Sequence, residues 1–209
     1  MIVLGLDTCL NACSVAVLDG ERVLASAREV MARGHQERLA PMAQAVMAQA
    51  GLGFGEIERI AVTVGPGSFT GLRVGVAFAK GLAAALAVPA VGIGTLEALA
   101  AEAEGPAFAA IDARRGQIYA QAFEDGRAMA PPQVMALEEA AAMAAELAAR
   151  GGLTLAGPGA GLLAAAAPGA RTLAPEGADA QVVARLAAAR TPGALVPLYL
   201  RAPHAELPA

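Results

Sequence analysis

The first thirty positions alternate short apolar runs with clusters of turn formers. Residues 2–6 are apolar with β-branched members, 7–11 carry turn residues, and 14–18 are apolar again. Asp19-Gly20 then precedes a third candidate strand over 22–30. This pattern predicts an antiparallel three-stranded meander. From position 36 the period lengthens. Leu39, Met42 and Ala43, Val46 and Met47, then Ala50 recur at helical spacing over 36–50. Pro41 falls early, where a missing N–H costs least, and Gly51 and Gly53 end the helix. A buried strand over 59–64 runs into Gly65-Pro66-Gly67-Ser68. A long helix over 70–86 follows, with Leu72, Val76, Ala79, Ala83 and Leu86 on one face. A short strand over 89–93 leads to a helix over 95–102, with Thr95 as its expected N-cap.

After Glu104-Gly105-Pro106 the pattern starts again. Strands are expected over 107–111 and 117–123, a third around Val134, a helix over 137–150 and a strand over 153–155. That strand enters Gly157-Pro158-Gly159, and a helix over 178–190 and an apolar segment over 195–200 close the chain. Asp7 ends the first strand of one half as Asp112 ends that of the other, and each half has a strand entering Gly-Pro-Gly. The order and spacing predict two related α/β lobes, 1–103 and 104–209.

Composition narrows the candidate functions. The chain has 209 residues, enough for one large or two small domains, and a net charge of −4. Aromatics make up 3% and tryptophan is absent, which disfavours a nucleic-acid binder acting alone. The apolar stretch around 82–91 is short for a bilayer span and holds Pro89. No targeting signal is visible, so a cytoplasmic protein without a membrane role is expected. Cys9 and Cys13 lack the further ligands of a structural zinc site and are expected to be small, reduced, half-buried residues.

Three features could carry chemistry. A strand-terminal aspartate before a hairpin can hold a phosphate-bound metal, with a second aspartate facing it across a cleft, so Asp7 and Asp112 suit the nucleotide-binding architecture of sugar kinases, the heat-shock chaperone ATPase and actin. A strand-terminal Asp is also a common turn former. The loop from Gly65 to Gly71 opens a helix and can bind an anion, yet it lacks the Walker A spacing and equally suits a tight strand-to-helix joint capped by Ser68 or Thr70. His35 and His204 are too far apart in sequence to form a metal signature. The helices holding Leu39 to Met47 and Leu72 to Leu86 are rich in Met and small residues, which fits either a core or an adaptable interface.

The run Gly65-Pro-Gly-Ser-Phe-Thr-Gly-Leu-Arg73, with Val74-Gly75-Val76 and Lys80-Gly81-Leu82, strongly resembles the TsaB (YeaZ) family. Further matches are Leu6-Asp7-Thr8 with Ser14-Val15-Ala16, and Gly34-His35 through Leu39 and Pro41. Ile111-Asp112-Ala113-Arg114-Arg115-Gly116 with Ile118-Tyr119, and Pro197-Leu198-Tyr199-Leu200-Arg201, complete the set. The resemblance implies two RNase H-like lobes of the sugar kinase, heat-shock chaperone and actin type, the second reduced. It implies a non-catalytic subunit of the machinery that places threonylcarbamoyl on the tRNA adenosine beside the anticodon. Its expected partners are the catalytic subunit TsaD and the ATPase TsaE, with a homodimer when alone and tRNA met only through the complex. ATP is then used by the complex, and no cofactor is assigned to this chain.

TsaD holds a metal through an H-x-x-x-H pair. Here His35 is followed four positions later by Leu39, which argues against metallopeptidase activity. Family members pair through first-lobe helices, so Leu39, Met42, Val46, Leu72, Val76 and Ala79 are the expected partner contacts. Asp7, Gly65, Gly67 and Ser68 are the candidate nucleotide contacts. The competing reading is an ATP-dependent phosphotransferase or ATPase of the same fold.

Overall fold

A computed structural model describes residues 1–201. In chain order the first half runs β1 (Ile2–Asp7), β2 (Ala12–Asp19), β3 (Arg22–Val30), α1 (His35–Gln49), β4 (Arg59–Thr63), α2 (Phe69–Leu86), β5 (Ala90–Ile93) and α3 (Thr95–Ala100). The second runs β6 (Ala107–Arg114), β7 (Gln117–Glu124), β8 (Arg127–Ala128), β9 (Gln133–Ala136), α4 (Leu137–Ala148), β10 (Thr154–Ala156), α5 (Ala160–Leu163), β11 (Arg171–Leu173) and α6 (Ala180–Ala188).

The expected repeat appears in the sheets. The first has the order β3-β2-β1-β4-β5 and the second β11-β10-β6-β7-β8, with β9 also paired to β7. In both, the leading strand pairs antiparallel with the next and parallel with the strand that enters Gly-Pro-Gly. The second lobe is reduced: where the first has the 18-residue α2, the second has the four-residue α5. The fold is thus the expected mixed α/β, two-sheet architecture.

Several details differ from the sequence reading. Helix α5 and strands β8 and β11 have no counterpart in it. The N-cap of α3 is Gly94, with Thr95 the first helical residue. The segment 195–200 has no regular secondary structure and joins no sheet, although the Leu198 N–H donates to the Val64 carbonyl at 2.7 Å. His204 lies outside the described residues.

Burial explains the placement of the helices. The inward residues of α1 (Leu39, Met42, Ala43, Val46, Met47) and of α2 (Leu72, Val76, Ala79) join Leu4, Leu6, Val15 and Val17 in one core. Fully burying each larger aliphatic side chain contributes about 1.5–3 kcal/mol. On its other face the first sheet is covered by α6, whose Ala180, Val183, Ala184 and Ala187 pack with Val3, Ala16 and Leu18. Helix α6 follows the second sheet in sequence yet packs on the first. Its approach requires glycine at position 5, where an added methyl would collide with the Ala180 carbonyl.

Among the described residues α2 alone is long and apolar enough to cross a bilayer by length and composition. Its Gly71, Leu72, Gly75, Val76 and Ala79 are buried within the chain.

Candidate functional site

A cleft of about 230 Å³ opens where the two lobes meet. Leu10 and Asn11 of the β1–β2 turn, Gly67 and Ser68 before α2, and Pro158 after β10 line it. Asp112, Arg114 and Tyr119 of the β6–β7 hairpin form the facing wall. The two Gly-Pro-Gly loops therefore converge on one cleft.

Asp7 does not line this cleft. It is fully buried, and its carboxylate is enclosed by donors from three parts of the chain. Oδ1 accepts the Thr63 hydroxyl at 2.5 Å and the Cys9 N–H at 3.1 Å, and Oδ2 accepts the Ala178 N–H at 3.1 Å. Burial pushes this carboxyl above its ordinary value; the hydrogen bonds from Thr63, Cys9 and Ala178 and the more distant charge of Arg28 oppose that rise. The same segment is held twice more. The Arg28 guanidinium donates to the Gly177 carbonyl at 2.8 Å, and the Ser14 hydroxyl accepts the Ala180 N–H at 3.0 Å. Residues 177–180 thus form a clasp that docks α6 onto the end of β1.

The glycines before α2 act mainly in packing. Gly65 has φ +103°, a region that favours glycine. A methyl there would lie 2.5 Å from Leu72 Cδ1 and 2.7 Å from the Leu198 carbonyl oxygen. A methyl on Gly67 would strike the Cys9 carbonyl. The Ser68 N–H donates to the Cys9 carbonyl at 2.7 Å, and its hydroxyl caps α2 by accepting the Gly71 N–H at 3.3 Å. Of the four candidate nucleotide contacts, only Gly67 and Ser68 reach the cleft. Asp7 and Gly65 face the interior.

Asp112 behaves as a turn former. Its Oδ1 accepts the Arg114 N–H at 2.7 Å, and its other oxygen lies 3.8 Å from the Arg114 guanidinium. His35 is buried at the start of α1, with Nε2 3.1 Å from the Leu10 carbonyl oxygen. Leu39, one turn on, is a core residue. Among the described residues no group of three or more His, Cys, Asp or Glu side chains is placed to hold a metal ion.

The six expected partner contacts turn inward as well. Leu39, Met42, Val46, Leu72, Val76 and Ala79 are all 4% exposed or less within the isolated chain. Their side chains build the core beneath α1 and α2, so a partner would meet the opposite faces of these helices. On α2 that outer face carries Ala77, Gly81, Ala84 and Ala85 together with the charged Arg73 and Lys80, all exposed, flanked by half-buried Val74, Phe78 and Leu82. Sequence reasoning noted the small residues of α2 but placed the contacts on the opposite face, because only the core-facing stripe carries a periodic signal. It also missed an exposed cluster at the start of α2, where the Arg73 guanidinium lies 3.7 Å above the Phe69 ring and Arg73 Nε donates to the Tyr199 hydroxyl at 3.1 Å. A chain with only five Phe and two Tyr gave a signal for it, since each aromatic needs a reason to be where it is.

The chain is similar to proteins of known sequence and structure over nearly its whole length. The family model of TsaD, tRNA N6-adenosine threonylcarbamoyltransferase, matches residues 27–160. An uncharacterised protein of Mycobacterium tuberculosis is 34% identical across 98% of this chain and 93% of its own length. The tRNA threonylcarbamoyladenosine biosynthesis protein TsaB of Escherichia coli is 39% identical across 57% of this chain and 53% of its own. The solved structure of YeaZ from Pseudomonas aeruginosa superposes with a TM-score of 0.81 at 31% identity, covering 95% of this chain and 99% of that one. The ROK hexokinase of Thermus thermophilus, at 17% identity and a TM-score of 0.51, shares the fold alone.

Proposed function

Because this chain belongs to the TsaB (YeaZ) family, we propose that it is a non-catalytic subunit of the assembly that makes threonylcarbamoyladenosine on tRNA. In this reading it pairs with the catalytic subunit TsaD through the outer faces of α1 and α2. TsaE is the ATPase of the same assembly, and a second copy of the chain takes the catalytic subunit's place when the protein is alone. In this reading the lobes are 1–103, which carries the pairing helices, and 104–209, except that α6 crosses back to cover the first sheet.

One observation carries the proposal: α2 has a mean hydropathy of 1.3, and only 28% of it is buried within the chain. A helix apolar on both sides needs a second burial surface. The stripe of Ala77, Gly81, Ala84 and Ala85 allows another helix to approach closely. The enclosure of Asp7 supports a role in assembly rather than chemistry, since its oxygens are engaged by the chain itself.

Pairing is tested by light scattering after mixing with TsaD. Ala77→Glu with Ala84→Glu places charge on the exposed stripe, where surface substitutions change stability by only about 0.5 kcal/mol. This variant should keep the wild-type melting temperature and lose pairing. Val76→Asp should lose both, because Val76 is buried and an uncompensated charge there unfolds the lobe. Wild-type pairing by the double variant would refute the assignment. In the same reconstitution, tRNA modification by TsaC, TsaD and TsaE with ATP, threonine and bicarbonate should require this chain.

A further inference from the structure

The GPGSFTGLR and PLYLR motifs leave three side chains in solvent that neither the core nor the α2 stripe uses. Phe69 and Tyr199 are each 41% exposed, although the chain has few aromatics to place. Their ring centroids are 5.5 Å apart at an angle of 42°, and the Arg73 guanidinium lies over Phe69 and is held by the Tyr199 hydroxyl. Two residues on, Arg201 donates to the Ala113 carbonyl at 3.1 Å and to the Gln117 side chain. This bond fixes the β6–β7 hairpin beside the aromatic stack.

At the hairpin tip Arg114 and Arg115 adopt φ +65° and +55°, a tight turn in which both are exposed. The Arg114 side chain is 83% exposed, and Asp112 is the carboxylate against it, at 3.8 Å. Ser68, adjacent to Phe69, and Arg114 line the same cleft. A chain of net charge −4 thus gathers Arg73, Arg114 and Arg115, with half-buried Arg201, near two aromatic rings, each 41% exposed.

We propose that this rim, formed by Phe69, Arg73, Tyr199, Arg114 and Arg115, contacts an unpaired segment of RNA. The proposal rests on the tRNA-linked reading above and deepens it. Aromatic faces stack on any base, and arginines beside them neutralise the phosphates, which is how single-stranded nucleic acid is held. Two aromatic rings beside several arginines favour RNA over a protein partner here, whereas the small residues Ala77, Gly81, Ala84 and Ala85 farther along α2 suit a protein helix.

The test titrates a fluorescent, unmodified tRNA transcript with the full chain paired to TsaD, over a salt series. Arg114→Ala with Arg115→Ala should reduce the magnitude of the slope of log K against log salt by about 1.4, the value for two phosphate contacts on a single strand. Phe69→Ala should weaken binding roughly 5- to 150-fold with little change of slope. Arg150→Ala with Arg171→Ala, exposed elsewhere in the second lobe, should change neither.

Wild-type affinity and slope in the rim variants, with pairing and melting temperature intact, overturn the RNA contact and leave the assembly reading standing. Loss of pairing to TsaD with RNA binding unchanged makes the rim a protein interface and also overturns it. If the wild-type chain does not pair with TsaD, the assembly reading falls. The same titration on the chain alone then decides: binding that the rim substitutions abolish supports the contact, and no binding refutes it.

Discussion

Replacing Asp7 separates two views of the first lobe. In a nucleotide-binding lobe this carboxylate would hold a phosphate-bound metal, and its loss would abolish ligand binding while leaving the fold largely intact. In the structure it holds the chain together, so the reverse is expected. Asp7→Asn keeps one carbonyl oxygen to accept the Thr63 hydroxyl and the Cys9 N–H. Its amide nitrogen then faces the Ala178 N–H, donor against donor. One unsatisfied buried donor costs about 1–3 kcal/mol. Asp7→Ala strands all three donors. The same 1–3 kcal/mol per group, partly offset by removing a buried carboxylate, gives a net loss of about 2–5 kcal/mol. Against a typical total of about 5–15 kcal/mol, either change is measurable by urea unfolding.

The pH dependence gives an independent reading. Burial raises the folded-state value of the Asp7 carboxyl above the ordinary 3.8, so the folded chain binds this proton more tightly than the unfolded one. Its contribution is fully present below pH 3.8 and is lost as pH rises through the raised folded value. The stability of the wild type minus that of Asp7→Asn should therefore fall with rising pH across that window and then level off. The missing Ala178 bond in the variant is independent of pH and shifts the curve without bending it. A cost under about 0.5 kcal/mol for both substitutions, or a difference that climbs with pH, would refute this account of Asp7.

Two further predictions concern packing and thiol chemistry. A methyl at Gly71 would collide with the Thr8 carbonyl, whereas one at Gly81 meets nothing within 4 Å; calorimetry should show Gly71→Ala less stable by about 1–3 kcal/mol and Gly81→Ala more stable by about 0.5–1 kcal/mol, and equal effects would contradict the close approach of α2 to the β1–β2 turn. Burial pushes the Cys9 and Cys13 thiols up to about 12 and about 11, so Ellman's reagent at pH 8 should find no fast-reacting thiol in the folded chain and two in urea. Rapid native modification would show that the first lobe opens.

The sheets were legible because their signals are local. A short apolar run bounded by turn formers, an Asp-Gly turn and a Gly-Pro-Gly loop each predict structure within a few positions, and these placed β1 to β5, β6, β7 and β10. Helix α5 and strand β11 were not legible, because a four-residue helix in an alanine-rich stretch has no measurable period. The candidate site was less legible for two reasons. Helical periodicity marks the stripe facing the core, so Leu39, Met42, Val46, Leu72, Val76 and Ala79 were selected by the same signal that buries them. The clasp joins Asp7 to Ala178 across 171 positions, and no local pattern reports a contact of that separation.

The glycines of α2 and its neighbouring loop show how one sequence serves two surfaces. Gly71 and Gly75 let the helix sit against Thr8, so the inner face needs no larger side chain to fill the gap. Ala77, Gly81, Ala84 and Ala85 leave the outer face equally smooth. Meanwhile two of the four candidate ligand positions have been taken into packing, Asp7 by the clasp and Gly65 by Leu72 and Leu198, while Gly67 and Ser68 still line the cleft. Among the surfaces the first lobe presents outward are the small-residue face of α2, edged by Arg73 and Lys80, and the aromatic rim at its start. Under the assembly reading proposed above, both would serve as contact surfaces for another macromolecule.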